Sequence, residues 1–95
     1  QENNFAGIVK EFRENGFWLV SFEAKAKLSI WEIDFRQGSW GIIVGGENRG
    51  IRKIICSLCD YEASIPMKNT VNSLNVSVAF GIGLYEITRQ RWRVD

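Results

Sequence analysis

Two short segments of the chain carry the residues that are best suited to chemistry. The first is the turn Gly45-Gly46-Glu47-Asn48-Arg49-Gly50, which directly follows an apolar run. Glycines allow a ligand to approach the backbone closely, but the turn has no phosphate-loop lysine and does not fit the dinucleotide fingerprint. A phosphate site would normally avoid an acidic residue such as Glu47. Its presence in the turn favours a cofactor with a cationic centre or a hydrogen-bonded ribose. A plain strand-to-helix connection explains the glycines about equally well.

The second segment, residues 65–79, combines a strand end, a polar loop and a helix start. Part of its polarity has a structural explanation, because Asn72 or Ser73 can cap the helix and Ser77 and Ala79 can allow close packing. Asn75 is harder to explain in this way, since an amide in the first turn of an apolar helix is costly to bury unless its hydrogen bonds are met. Asn75 is therefore a candidate for holding a substrate group.

Alternating helices and apolar strands must position these segments. Apolar residues at helical spacing predict helices, and short apolar runs bounded by glycine or charge predict strands. The predicted helices are 3–14, ending at Asn15-Gly16, 51–59 and 73–91; the predicted strands are 17–22 and 40–44, both buried, and 61–67, closed by Pro66. Residues 23–37 are compatible with a strand or a short helix. The pattern indicates an α/β domain with a mostly parallel sheet, and the last helix, apolar on more than one face, is expected to be broadly buried.

The bulk composition is that of an ordinary globular chain. Its 95 residues allow at most one small domain, 45% of them are hydrophobic and 24% charged, and the net charge is only +1. The near-neutral charge excludes a global basic field, so any affinity for RNA must be local. No apolar stretch reaches the ~18–20 residues of a membrane span and no leader pattern opens the chain. A soluble, cytoplasmic protein is expected.

Cys56 and Cys59 are spaced C-x-x-C, a pattern that serves redox or zinc chemistry in other proteins. The chain contains no histidine and no second cysteine pair, so a four-ligand zinc site could form only across a dimer. Both cysteines lie late in an apolar helical run, where small apolar side chains are wanted. Structural packing is the favoured interpretation, and no metal is expected.

The two polar segments together resemble the SpoU/TrmH family of RNA 2′-O-ribose methyltransferases, a branch of the SPOUT superfamily. IIVGGENRGIR, followed after about one helix by IPMKNTVNSLNVSVAFGIGLYEITRQR, is similar to the second and third signature motifs of that family, in order and at the family's spacing. The preceding helix and strand also resemble the family's equivalents. The first motif, whose arginine is usually assigned as the base, has no counterpart. Residues 1–95 are therefore expected to be the carboxyl-terminal part of the catalytic domain.

The resemblance implies a trefoil-knotted fold in which residues 68–91 pass through a preceding loop, an exception to the rule that chains avoid threading. It implies that S-adenosylmethionine binds in the knot and that its methyl group goes to a ribose 2′-hydroxyl of rRNA or tRNA. Glu47, Ser73 and Asn75 match motif residues implicated in catalysis and site geometry. The implied cofactor-binding residues are Phe22, Val44, Gly45, Gly46, Ile65, Met67, Ser73 and Leu74, with Ser21 as a further contributor.

The implied partners are RNA and a second copy of the chain. Arg49, Arg52, Arg89 and Arg91 are the candidate RNA contacts. The last two belong to the tail RQRWR, which combines arginines with an aromatic ring, as phosphate contact and base stacking require. A solvated helix end with basic residues favoured by the helix dipole explains the tail about equally well. In the family the last helix packs against a second subunit, so a homodimer is expected.

Two alternatives remain open. A non-catalytic knotted relative that binds RNA or supports assembly would lack the first motif, and the sequence upstream would decide between it and an enzyme. The other alternative is a generic nucleotide-binding α/β domain without a knot. It would not explain why serine and asparagine are so frequent in the loop after Pro66. Binding of S-adenosylhomocysteine, rather than ATP or NAD, would distinguish the knotted proteins from this third class.

Overall fold

The computed structural model describes residues 4–44, 49–67 and 76–92, and it describes side chains for 5–44, 53–67 and 77–92. Helices and strands largely alternate along the chain, as the sequence predicts. The elements are α1 Asn4–Glu14, β1 Trp18–Phe22, β2 Leu28–Ser29, a 3₁₀ turn Ile30–Glu32, β3 Trp40–Ile43, α2 Arg49–Leu58, β4 Tyr61–Ser64 and α3 Val76–Arg91.

The strands form one parallel sheet in the order β2-β4-β1-β3. β1 pairs with β3 through Trp18 opposite Trp40, and with β4 through Val20 opposite Tyr61. β2 pairs with the other side of β4. The predicted α/β class with a parallel sheet is confirmed. The sequence predicts that β3 is buried, but the strand is only half-buried, because in the described part of the chain it lies at a sheet edge with β1 as its one neighbour.

Alternation along β1 divides the apolar residues between the two faces of the sheet. Leu19 lies on the face that α1 and α2 cover, where it packs with the buried Val9 and Ile55. Val20 lies on the opposite face, in the buried cluster that includes Phe35 and is closed by α3 and the 3₁₀ turn. Burial on both faces explains why β1 is a continuous apolar run instead of an alternating one.

The stop predicted for the first helix is confirmed at Asn15-Gly16. Gly16 has φ +90°, a left-handed conformation that glycine adopts without a Cβ penalty. The Phe17 N–H donates to the Phe12 carbonyl at 3.1 Å, and the Asn15 side chain donates to the Glu11 carbonyl at 2.8 Å. These bonds satisfy two of the last four carbonyls of α1, and the chain then enters β1 directly.

Residues 23–37, compatible with a strand or a helix on sequence alone, contain both. β2 pairs with β4, and Ser29 then caps the 3₁₀ turn. The Ser29 hydroxyl accepts from the Trp31 N–H at 3.0 Å, while the Glu32 carboxylate accepts from the Ser29 N–H at 3.0 Å. This reciprocal capping box fixes the direction in which Ile30 and Ile33 enter the core.

The last turn of α3 is fastened to the loop that follows the 3₁₀ turn. Gln90 donates from Nε2 to the Ile33 carbonyl at 3.0 Å and accepts from the Phe35 N–H at 2.7 Å. Arg91 donates from Nε to the Phe35 carbonyl at 2.6 Å and from Nη2 to the Gly38 carbonyl. This end of the helix is therefore docked on the protein, and it holds in place the loop that carries the buried Phe35.

The prediction that the last helix is broadly buried is wrong for the single chain, in which much of α3 is exposed. α3 packs on the sheet through Ile82 and Ile87, and a sheet face can cover only one side of a helix. The large apolar side chains on its other sides are 39% to 68% exposed: Val78, Phe80, Leu84 and Tyr85. Among the described residues, no helix is both long enough and apolar enough to cross a membrane.

Candidate functional site

Three parallel strands end at the same edge of the sheet, and predicted cofactor-binding residues lie at that edge. β1 ends at Phe22, β3 ends at Ile43 with Val44 next, and β4 ends at Ser64 with Ile65 next. Open parallel α/β sheets bind their ligands at the carboxyl ends of the strands. The structure therefore places Phe22, Val44 and Ile65 on neighbouring strands at the edge where a ligand is expected.

β4 is shorter than the predicted strand 61–67, because the ladder stops at Ser64. Pro66 has no N–H to donate and restricts the backbone of the residue before it. Ile65 packs against the buried cluster, and Met67 is 37% exposed. Both side chains thus lie beyond the strand end, where a ligand can reach them.

Several predicted site residues lie outside the described residues, and their roles stay predictions. The described chain brackets them: Val44 precedes the glycine-rich turn and α2 follows it, while Met67 and α3 flank the serine and asparagine loop. The undescribed site residues are Gly45, Gly46, Glu47, Ser73, Leu74 and Asn75, and the side chains of Arg49 and Arg52 are likewise undescribed.

α3 crosses the carboxyl edge of the sheet at Gly83, where no side chain larger than that of glycine fits. Gly83 is buried, and a Cβ atom there would lie 2.5 Å from the ring of Phe22 and 3.4 Å from Ile42. At Gly81 the corresponding atom would have nothing within 4 Å. Close approach through Gly83 therefore lets α3 hold Phe22, a predicted cofactor-binding residue, against the sheet.

Replacing Gly83 with alanine is expected to destabilise the fold by about 1–3 kcal/mol, because the added methyl group displaces the Phe22 ring. Gly81→Ala is the matched control. It is expected to stabilise the protein by about 0.5–1 kcal/mol, since alanine favours a helix interior and the position is open. Urea unfolding of the two variants measures the difference. Equal stability of the two would mean that Phe22 moves aside without cost and is not held by α3.

A partly buried polar cluster that the sequence did not predict includes both neighbours of Phe22 in the chain, Ser21 and Glu23. Ser21 is 3% exposed, and its hydroxyl donates to the Glu23 carboxylate at 3.0 Å. The Cys56 thiol of α2 donates to the same carboxylate oxygen at 3.5 Å and lies 3.8 Å from the Ser21 hydroxyl. The Glu23 N–H donates to the Ala63 carbonyl of β4 at 2.9 Å. From the sequence, the position of Glu23 directly after an apolar strand is the one signal that could have found it.

The two cysteines are free thiols in structural surroundings. Cys59 packs against the buried cluster around Leu19, and burial raises the pKa of its thiol to about 12. Burial also raises the pKa of the Cys56 thiol, so neither cysteine is activated as a thiolate. Across the described ranges, no group of three or more metal-binding side chains occurs. The surroundings of both thiols support the packing role that the sequence favours.

The two described candidates for RNA contact already have partners within the chain. Arg89 forms a bidentate pair with Glu86, with both N···O distances at 2.9 Å, and its side chain is 58% exposed. This pairing lowers the pKa of the Glu86 carboxyl. Arg91 donates to the backbone carbonyls of Phe35 and Gly38. RNA contact by either residue stays a prediction, for which the exposed Arg89 is the better placed.

The parallel sheet, the apolar side chains at its carboxyl edge and the glycine-rich segment after β3 are typical of α/β domains that bind their ligands at the strand ends. The sequence profile of the SpoU rRNA Methylase family matches residues 1–85. The chain belongs to this family, as its two motifs predict.

Relatives described as 23S rRNA (guanosine-2′-O-)-methyltransferase RlmB match nearly the whole chain. The protein from Coxiella burnetii is 41% identical over 88 residues, which cover 93% of this chain and 35% of that protein. The protein from Shewanella oneidensis is 40% identical over 91 residues, which cover 96% of this chain and 37% of that protein. The chain thus spans about a third of the length of these relatives.

Two solved structures share the fold. The TrmH/SpoU tRNA modifying enzyme of A. aeolicus is 37% identical, with a TM-score of 0.78 over 93% of this chain and 45% of that chain. The SpoU methyltransferase AviRb from Streptomyces viridochromogenes, determined in complex with AdoMet, is 31% identical, with a TM-score of 0.73 over 96% of this chain and 36% of that chain. Both structures support the fold class derived from the sheet.

Proposed function

We propose that residues 1–95 form the carboxyl-terminal part of the catalytic domain of an S-adenosylmethionine-dependent RNA ribose 2′-O-methyltransferase. The observation that carries the proposal is the meeting of Phe22, Val44 and Ile65 at one sheet edge, with the two family motifs continuing from the ends of β3 and β4. Membership of the SpoU rRNA Methylase family supports the same reaction. The substrate is rRNA or tRNA, the two classes on which the named relatives and structural neighbours act.

The described residues suit S-adenosylmethionine as the cofactor. Its adenine ring needs apolar surface, which the half-buried Phe22 and Ile65 and the exposed Met67 supply. Its sulfonium is cationic, and an acidic residue, Glu23, directly follows β1 at the same edge. The remaining pocket residues would be Gly45, Gly46, Ser73 and Leu74, with residues 68–91 threaded as the knot of the family.

The bound cofactor supplies an electrophilic methyl group, and residues of the chain align the ribose 2′-hydroxyl with it. Alignment of two reactants contributes a large part of the rate in such an in-line displacement. The Asn75 amide would hold the ribose by hydrogen bonds, while Ser73 and Glu47 would fix the geometry of the two motifs. The base that takes the hydroxyl proton would come from the arginine of the family's first motif.

RNA contact and dimer formation complete the proposal. Arg49 and Arg52 in α2 and Arg89 near the end of α3 are the proposed phosphate contacts. The exposed apolar side of α3, which includes Leu84 and Tyr85, would be covered by a second copy of the chain, since exposed apolar patches mark interfaces. The protein would act in the cytoplasm, where its RNA substrates lie.

The experiment is methyl transfer by the full-length gene product that contains this chain. Tritiated S-adenosylmethionine is incubated with rRNA or tRNA transcripts, and the RNA is then hydrolysed in alkali. A 2′-O-methyl group removes the hydroxyl that attacks the neighbouring phosphate, so label in alkali-resistant dinucleotides is the expected result. Label released as mononucleotides would indicate base methylation. Absence of label from both RNAs would favour the non-catalytic knotted relative.

A further inference from the structure

We propose that the side chains of Trp18, Trp40 and Tyr61 form a stacking platform for unpaired nucleotides of the RNA substrate. This inference rests on the proposed function, which supplies the RNA, and it adds a contact surface at the amino edge of the sheet, away from the cofactor. The platform would select RNA in which nucleotides near the methylated one are single-stranded. Such bases are free to stack on protein rings, whereas bases within a duplex are not.

Three neighbouring strands begin at the amino edge with an aromatic residue. Trp18 opens β1, Trp40 opens β3 and Tyr61 opens β4. Trp18 and Trp40 are stacked with ring centroids 6.1 Å apart, and Trp40 and Tyr61 are stacked with ring centroids 5.9 Å apart. The interplanar angles are 26° and 25°, so the three side chains form one row of nearly parallel rings. These distances are in the range that aromatic rings favour.

The row is held in place before any ligand binds. The Trp40 indole N–H donates to the Gln37 carbonyl at 3.0 Å, and its ring forms a T-shaped contact with the buried Phe35. The Trp18 ring lies against Gly38, where a Cβ atom would come within 3.1 Å of it. Because the rings are already ordered, a ligand that stacks on them loses little affinity to side-chain ordering.

The two outer rings of the row are open to solvent. Trp18 is 47% exposed and Tyr61 is 39% exposed. Since Trp40 covers the inner face of each ring, the ring area open to solvent lies on the outer faces and the edges. Single-stranded nucleic acids bind to such rings by adding their bases to the stack, and the contact tolerates any sequence because every base has an aromatic face.

An arginine lies next to the row. Arg91 donates to the backbone carbonyls of Phe35 and Gly38, and Gly38 is the residue against which the Trp18 ring lies. Both acceptors are neutral, so these bonds position the exposed guanidinium without compensating its charge. A cation beside stacked rings suits a ligand that has both phosphates and bases, and it favours RNA over an apolar protein segment as the occupant.

The two acidic residues that flank Tyr61 do not oppose this charge. The Asp60 carboxylate is paired with Arg13 at 3.2 Å and accepts from the Leu19 N–H at 2.8 Å. Glu62 follows Tyr61 in β4, so the alternation of the strand places its side chain on the opposite face of the sheet. The face that carries the row therefore presents rings and the charge of Arg91.

The platform and the cofactor edge lie at opposite ends of the same strand. Trp18 and Phe22 are the first and last residues of β1, and alternation places both side chains on one face of the sheet. Four residues of strand span about 13 Å. Nucleotides close to a ribose bound at the carboxyl edge are therefore within reach of the platform.

The test is binding of a fluorescein-labelled RNA of about 12 nucleotides to the full-length gene product, followed by fluorescence anisotropy. The RNA is used as a single strand and as a duplex with its complement. Trp18→Ala is expected to weaken binding of the single strand about tenfold, the usual effect of removing one stacking ring, and to leave binding of the duplex unchanged. Trp18→Phe keeps a ring and should recover most of the lost affinity.

Phe5→Ala is the matched control, because it removes a ring that is 51% exposed on α1, away from the row; it should bind both RNAs as the wild type does. If Trp18→Ala does not fold, Tyr61→Leu removes the other outer ring and keeps an apolar side chain. It should weaken binding of the single strand about fivefold to tenfold.

The inference would be overturned by an equal loss in Phe5→Ala, by an equal loss for the duplex, or by wild-type affinity in the folded row variants. A wild-type protein that does not bind the single strand would contradict it as well. Binding of S-adenosylhomocysteine is measured on the same proteins and should not depend on the row. Its absence from the wild type would overturn the proposed function, whereas its presence without an effect of the row would overturn the platform alone.

Discussion

Asn75→Ala is expected to lower the rate of methyl transfer about 10²–10³-fold, the usual cost of removing one hydrogen-bonding group that acts on the reacting atoms. Asn75 lies outside the described residues, directly before α3 in the sequence. An amide there is best explained by a polar ligand, because the helix that follows is apolar on several sides. Loss of the amide would leave the ribose hydroxyl poorly aligned with the methyl group.

The rate is measured with tritiated S-adenosylmethionine and the RNA that the wild-type protein methylates. Gln37→Ala is the control, because it removes an exposed amide from the loop before β3 and should leave the rate unchanged. Circular dichroism of both variants checks that the fold persists. A folded Asn75→Ala protein with the wild-type rate would remove Asn75 from the proposed site.

Phe35→Ala is expected to lower the free energy of unfolding by about 3–5 kcal/mol, the usual cost of emptying the space of a buried aromatic ring. Phe35 is 1% exposed and is one of the largest fully buried side chains. Its ring forms a T-shaped contact with that of Trp40, with centroids 4.7 Å apart. Its backbone binds Gln90 and Arg91, so the cavity would also loosen the carboxyl end of α3.

Urea unfolding followed by circular dichroism measures this loss. Trp31→Ala is the matched control: Trp31 lies in the same segment, but its side chain is 69% exposed, and its removal should cost less than about 0.5 kcal/mol. If both aromatic substitutions cost the same, the core on the α3 side of the sheet is not centred on Phe35.

The features that local chemistry determines could be predicted from the sequence. Gly16 ends α1 because glycine adopts the left-handed conformation there, and β4 ends before Pro66, although three residues earlier than the predicted end of the strand. The alternation of helices and apolar runs is enough to predict the α/β class with a parallel sheet. The two motifs were enough to identify the family, because their residues occur in order and at the family's spacing.

Contacts between distant residues could not be predicted. Gln90 binds backbone groups 55 and 57 positions earlier, and Ser21 meets Cys56 across 35 positions. Such contacts depend on how α2 and α3 pack on the sheet, which residue types and spacing do not determine. From the sequence alone, the arginines of the tail indicate an RNA contact or a solvated helix end, because their side chains are charged. In the structure Arg91 also fastens a loop, and contact of the tail with RNA stays a prediction.

The most direct test of the central claim is calorimetric titration of the full-length gene product with S-adenosylhomocysteine, with ATP and NAD as the comparison ligands. The claim is that the carboxyl edge formed by Phe22, Val44 and Ile65 is part of a site for this cofactor. We predict saturable binding of S-adenosylhomocysteine and no binding of ATP or NAD at the same concentrations. Failure to bind S-adenosylhomocysteine would contradict the account and leave a non-catalytic knotted relative as the better description of the protein.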